Sequence, residues 1–321
     1  MIRTITFGIS LLVAALSQAA AQDRYPSRAI KFVVPFTAGS ATDTLARLLG
    51  NHVGATLGQG VIIENTGGGS GVPAALNVAR AAPDGYTILI TSNTTHASNQ
   101  SMLKRVPYDA VADFEPISKL GTITLALVGH PSVPANNVQE LIAYAKANPD
   151  KLAFGYGQGT APQLVGEWFN KTNGLAIASV PYKGGMQAVT DMMTGAIQLN
   201  IGTTATLLPL IREGKIRAIA QWGATREPEL PDVPTMIESG FPGLSLGFWA
   251  GLWAPAGTPQ AVIDTLNAAT NRVLDTPETR TAMHRLGVAP RIGTPKDFAD
   301  FIAAEAPKWQ RIVEASGVQI N

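Results

Sequence analysis

The sequence predicts an α/β protein of two lobes, each a mostly parallel sheet flanked by helices, and three observations carry the prediction. Short apolar runs alternate with helical patterns in a β-α-β-α-β rhythm, which implies parallel strands covered by helices on both faces. That rhythm occurs twice. Two mostly apolar segments, Asp113 to His130 and Leu244 to Pro255, follow the first and second copies and can carry the chain between lobes.

Taken in order, the N-terminus reads as a leader. Arg3 precedes the apolar run Ile5 to Leu16, and Ala19 and Ala21 form an A-x-A site, which is the pattern of a secretory signal cleaved after about Ala21. The run is too short for a convincing membrane span. Residues 1–21 are therefore expected to be the signal peptide, residues 22–122 plus 250–321 a discontinuous first lobe, and residues 123–249 the second lobe.

The first lobe opens with a β-branched strand, Ile30 to Pro35, followed by a helix from Thr42 to Leu57 with Leu45, Leu49, Val53 and Leu57 at helical spacing. A strand (Val61 to Glu64), a glycine-rich turn and a helix (Val72 to Ala82) come next. Asp84-Gly85 marks a turn before the strand Tyr86 to Thr91. The second lobe has helices at Val138 to Ala147, Gln163 to Thr172, Met186 to Thr194 and Leu207 to Glu213. Its strands fall at Lys151 to Gly155, Ala176 to Pro181, Ala196 to Ile201 and Ile216 to Gln221. Three final helices start at Thr258-Pro259, Thr276-Pro277 and Thr294-Pro295, each read as a hydroxyl N-cap followed by proline at N1.

Composition narrows the function. The chain has 321 residues, no cysteine and a formal net charge of +1. Without cysteine it is expected to carry neither a disulfide nor a lipid on an N-terminal Cys, so the folded chain relies on its core, and its length suits about two domains. Lys and Arg are scattered, which gives no stripe for nucleic acid. His52, His96, His130 and His284 stand far apart in sequence and supply no metal cluster. No cofactor is expected, and a monomer is.

In open parallel sheets ligands bind beyond the carboxyl ends of strands, where helix N-termini present free N–H groups. The turns there are the candidates. Phe36, Thr37, Ala38, Gly39, Ser40, Thr42 and Asp43 follow the first strand, where Ser40-x-x-Asp43 also fits a capping box. Ser92, Asn93, Thr94, Thr95 and His96 follow the third, a run richer in polar groups than a turn requires. In the second lobe, Gly159, Thr160, Ala161 and Gln163 sit in an anion-nest-like turn whose Thr160-x-x-Gln163 again suits a capping box. Tyr182, Lys183 and Gly184 precede a helix, and Thr203 follows another strand. Phe36, Tyr182 and Trp249 are candidates for an apolar wall, Trp249 equally for the core. The run Gly67 to Gly71 lacks the Lys-Ser/Thr of a P-loop and reads as a structural turn.

One helix N-terminus contributes about 0.3–1 kcal/mol to an anion. Each charge-assisted hydrogen bond adds about 1.5–3 kcal/mol. One turn alone binds weakly, whereas several converging turns can hold a carboxylate with no arginine.

The motifs VPFTAGSATDTLAR (Val34 to Arg47), ENTGGGSG (Glu64 to Gly71), APDGYTILITSNTTHASN (Ala82 to Asn99), VPYKGGMQAVTDMMTG (Val180 to Gly195), LPDVPT (Leu230 to Thr235) and WAPAGTP (Trp253 to Pro259) resemble tripartite tricarboxylate transporter substrate-binding proteins, the Bug family. The resemblance covers essentially the whole chain after the signal. It implies a periplasmic two-lobed binding protein of the type II class, with two hinge crossings, that hands a small mono- or dicarboxylate, aliphatic or aromatic, to the permease subunits of a membrane transporter. It also implies that amides, hydroxyls and bridging waters of the candidate turns hold the carboxylate. Three positions depart from the family pattern: Ser40 replaces a second glycine, Gln163 a histidine and Gly202 an acidic residue. They leave the ligand open.

Two alternatives stand beside this reading. A sensory protein would use the same fold and pass its signal to a receptor. A secreted hydrolase would need a G-x-S-x-G elbow, but Ser70 is followed by Gly71 and Val72. No enzymatic activity is expected.

Overall fold

The computed structural model of the chain describes residues 25–242 and 248–320. The expected signal segment, Met1 to Ala21, lies outside the described residues, as does the start of the apolar run Leu244 to Pro255.

Two sheets are formed. Strands β1 (Ile30–Val34), β2 (Val61–Asn65), β3 (Thr87–Ser92), β4 (Phe114–Ile123), β10 (Phe248–Pro255) and β11 (Val288–Pro290) make the first, in the order β11-β4-β10-β3-β1-β2. Strands β5 (Leu125–Gly129), β6 (Ala153–Gly157), β7 (Ala178–Tyr182), β8 (Leu199–Thr203) and β9 (Arg217–Gln221) make the second, in the order β7-β6-β8-β5-β9. The chain leaves the first sheet through Thr124 alone, between β4 and β5, and returns between β9 and β10.

The sheets are mixed. β1 pairs in parallel with β2 and β3, and β6 with β7 and β8, as the repeated rhythm requires. The antiparallel pairs all involve β4, β5 and β10, the strands built from the two apolar connecting segments. Those segments are apolar because they are central strands, not linkers. Every residue of β5 and of β10 is buried, so both faces are covered.

Helices α1 (Ala41–Leu57), α2 (Val72–Ala79), α3 (Asn99–Met102), α4 (Val138–Ala147), α5 (Ala161–Asn173), α6 (Gly185–Met193), α7 (Thr204–Arg212), α8 (Gln260–Asp275), α9 (Pro277–Arg285) and α10 (Pro295–Ser316) surround the sheets. Thr276 and Thr294 cap α9 and α10, accepting from the N–H groups of Thr279 and Asp297, and Asp297 returns the bond to complete a capping box. Thr258 does not cap α8. Its hydroxyl donates instead to the Pro255 carbonyl at 2.7 Å, Pro259 takes the N-cap place and the helix starts at Gln260.

The main core is continuous through both sheets. Four tryptophans, Trp222, Trp249, Trp253 and Trp309, are among its fully buried side chains. The long helix α10 closes it by packing on α5 as well as on β4, which ties the terminal segment to the second sheet.

Candidate functional site

Four helices begin at one place. The N-caps of α1 (Ser40), α5 (Thr160), α6 (Gly184) and α7 (Thr203) all line a pair of adjoining cavities between the sheets. One has a volume of about 130 Å³ and the other about 80 Å³. They share Phe36, Thr37, Ser40, Thr94, Thr160 and Gly185, so they form one continuous cleft. The first N–H groups of a helix have no intrahelical partner. Three of the four ends, at Ser40, Thr160 and Gly184, border the smaller cavity and contribute together about 1–3 kcal/mol to an anion held there.

The local chemistry of the first end is built around Asp43. The Ser40 Oγ accepts the Asp43 N–H at 3.2 Å, which leaves its own hydroxyl hydrogen free to donate. The reciprocal half of the box goes elsewhere: the Asp43 carboxylate accepts from Gly39 N–H at 2.8 Å, from Asn65 Nδ2 at 3.0 Å and from Arg47. Burial by itself raises the Asp43 pKa, but the bonds from Arg47, Gly39 and Asn65 outweigh it and hold the group below the usual carboxylate value. Asp43 therefore shapes the turn from beneath and does not face the cavity.

On the third strand the hydroxyl run divides. Ser92 and Thr94 line the cavity, whereas Thr95 and His96 turn into the first lobe's core. Thr95 Oγ1 lies 2.9 Å from both Thr91 Oγ1 and His96 Nδ1. The imidazole stacks on Trp253 at a 4.1 Å centroid distance and meets Phe114 edge-on. Burial pushes its pKa down to about 3, so it is neutral. Asn93 is also fully buried.

The second-lobe turn folds differently from a capping box. Thr160 donates to the Gly157 carbonyl at 2.6 Å and makes no cap bond, while the Gln163 side chain accepts from Gly159 N–H at 2.8 Å. Gly159, Thr160, Lys183, Gly184 and Thr203 line the cleft; Ala161 and Gln163 are buried behind it, and Ala38 and Gly39 are exposed to its side without lining it. Tyr182 is drawn away from it. Its hydroxyl donates to Asp191 at 2.8 Å, and burial together with that carboxylate pushes the phenol up to about 12. Trp249 is a core residue, 1% exposed, packed against Trp253, Phe298 and Phe301.

Residues outside the predicted set complete the walls. Ile123, Ile201, Phe248, Met186, Val189 and Pro162 supply the apolar part, with Asn200, Gly202 and Thr206 among the other positions. The glycine-rich turn enters too: Gly68, Ser70 and Gly71 line the smaller cavity, so this turn is part of the site and not only a structural bend. The signal that could have found Ser70 is its position in a glycine run directly before a helix start.

An α/β chain whose two sheets aim strand ends and helix N-termini at one shared cleft has the build of a periplasmic solute-binding protein. The family model described as "Tripartite tricarboxylate transporter family receptor" matches residues 45–318. The chain belongs to that family. Among solved structures, the periplasmic binding protein BugD is 34% identical and superposes with a TM-score of 0.86 over 92% of this chain and 99% of its own. A Rhodopseudomonas palustris protein solved with adipate is 33% identical, with a TM-score of 0.88 over 92% of this chain and 99% of its own. MatC from the same organism, solved with bound malate, is 33% identical, with a TM-score of 0.84 over 90% and 100%.

Among the described residues, no group of three His, Cys, Asp or Glu side chains could hold a metal, and no helix is long and apolar enough to cross a membrane.

Proposed function

We propose that this chain captures a small carboxylate in the cleft between its sheets and delivers it, in the periplasm, to a separate membrane transporter. The observation that carries the reading is the convergence of four helix N-caps, Ser40, Thr160, Gly184 and Thr203, on one cleft. Oriented amides replace the water around a carboxylate without a dedicated cation. The relatives solved with adipate and malate, both carboxylates, support the same ligand class.

The two crossings act as the hinge, one at Thr124 and one between β9 and β10, with lobes at about 22–122 plus 250–321 and 123–249. The cleft carries out no reaction in this reading. The imidazole nearest in sequence to the candidate hydroxyls, His96, is buried against Trp253 and bonds only Thr95, which lies off the cleft. Delivery to permease subunits and the periplasmic location rest on membership of the receptor family.

The test uses purified protein, stripped of ligand by unfolding and refolding, heated with a panel of mono- and dicarboxylates. Ligand at 100 times its Kd stabilises the folded state by about 2.7 kcal/mol. At least one acid should raise the melting temperature in a concentration-dependent way; a silent panel on protein verified as ligand-free refutes the reading.

A further inference from the structure

Building on carboxylate capture, we infer that the ligand's far end is uncharged and presents a hydrogen-bond donor to Asn200, so that the preferred substrates are ω-hydroxy or similar neutral-tailed monocarboxylates and not dicarboxylates. The two ends of the cleft differ. The smaller cavity holds the turns at Thr37, Ser70 and Gly159 together with Lys183, a cation at its rim. That end suits the carboxylate. The larger cavity is walled by Ile123, Val189, Ile201 and Phe248, and none of its described lining residues is charged. Residues 243–247, which lead into Phe248, contain no charged residue either.

Asn200 decides what the tail must offer. It is 1% exposed, and it lines the larger cavity. Its Nδ2 donates to the Gly155 carbonyl at 2.8 Å. That carbonyl can only accept, so the amide orientation is fixed and Oδ1 must be the free end. Oδ1 is buried without a partner. It points toward Gly202, where an added β-carbon would lie 3.0 Å from it, and Gly202 lines the same cavity. A buried acceptor without a donor is costly. A ligand hydroxyl, amide N–H or similar group satisfies it, and a second carboxylate repels it.

A feature of this sector that favours an anion is the N-terminus of α7. Its Thr204 N–H, however, is already donated to the Thr124 carbonyl at 2.9 Å, and the Thr206 hydroxyl is turned back onto the Thr203 carbonyl at 2.9 Å. What remains does not offset the burial of a carboxylate against four aliphatic or aromatic walls.

The experiment is titration calorimetry on ligand-free protein with chain-matched acids. Monocarboxylates, ω-hydroxy acids and dicarboxylates of three to eight carbons are compared, as are benzoate, 4-hydroxybenzoate and terephthalate. In the best-binding series, the hydroxy acid should bind about tenfold or more tightly than the dicarboxylate of equal length. A dicarboxylate that binds as well or better overturns the inference and leaves carboxylate capture standing. A panel in which nothing binds overturns both. The variant Met186→Lys places a cation at an exposed lining position, where folding is undemanding. It should cut the preference for the hydroxy acid over the dicarboxylate about tenfold; an unmoved ratio shows that the tail does not reach this sector and also overturns the inference.

Discussion

Gly159, on the turn after β6, rests against Ser70 on the glycine-rich turn of the other lobe, so closely that an added β-carbon would overlap the Ser70 hydroxyl oxygen. Both residues hold left-handed backbone, Gly159 at φ +71° and Ser70 at φ +54°. A side chain at Gly159 thus meets two obstacles, strain and a wall across the cleft. The two sides of the cleft also touch where Gly184 approaches Thr37, with 3.2 Å from an added β-carbon to Thr37 Oγ1.

Gly159→Ala should therefore impair closure more than folding. The strain of a left-handed alanine costs about 1–2 kcal/mol. The overlap is relieved only by holding the lobes apart, and ligand affinity should fall about tenfold or more. Gly174→Ala is the control. It has φ +60° but nothing within 4 Å of an added β-carbon, so it should lose similar stability and keep full affinity. Calorimetry on the two variants decides; equal affinities would show that Gly159 does not gate closure.

Asp43 supports the first turn from below, and its removal strands its donors. Asp43→Ala leaves Gly39 N–H without its acceptor and Asn65 Nδ2 with only the Phe36 carbonyl, and should cost about 2 kcal/mol in chemical denaturation. Arg47 is half-exposed, so Arg47→Ala should cost no more than about 1 kcal/mol. Equal losses would mean that the ion pair, and not the turn, carries the effect.

His96 makes the protein acid-labile. Its pKa is about 3 when folded and 6.5 in the unfolded chain, so between those values the unfolded state binds more protons. Stability is complete above about pH 6.5 and falls with acidification toward pH 3, by about 1.4 kcal/mol per pH unit. His96→Gln keeps a hydrogen-bonding side chain without the titration. Its melting temperature should vary less between pH 6.5 and 4.5 than that of the wild type. Parallel slopes would remove His96 as the cause.

Much of this was readable from periodicity and turn chemistry. The parallel strand-helix units announced themselves through alternating apolar runs, and Ser40, Thr94, Thr160 and Thr203 stood where a strand end meets a helix start. What could not be read was orientation. Thr94 and Thr95 are adjacent and chemically alike, yet one lines the cleft and the other bonds Thr91 in the core, a difference set by the π-helical turn at Thr94–Ser98. Capping boxes misled for a related reason. Asp43 and Gln163 both reach one residue past the N-cap, to Gly39 and Gly159, because those glycines fold the preceding amide into range. The apolar wall was hidden further, since Ile123, Ile201 and Phe248 come from strands whose two faces are both apolar.

Ser40 and Thr160 occupy equivalent places and do different things, which makes them separable by mutation. Ser40 accepts the Asp43 N–H and so caps α1, while Thr160 donates to Gly157 and leaves α5 without a side-chain cap. Ser40→Ala should then cost about 1 kcal/mol, and Ser40→Gly only a few tenths, because glycine is tolerated at an N-cap. Both lose the hydroxyl that lines the cleft. If that hydroxyl donates to the ligand carboxylate, both should weaken the best-binding acid by about ten- to a hundredfold, the worth of one charge-assisted bond. Affinity that tracks stability, with Ser40→Gly binding like the wild type, would instead assign Ser40 to the helix alone and move the carboxylate onto backbone amides.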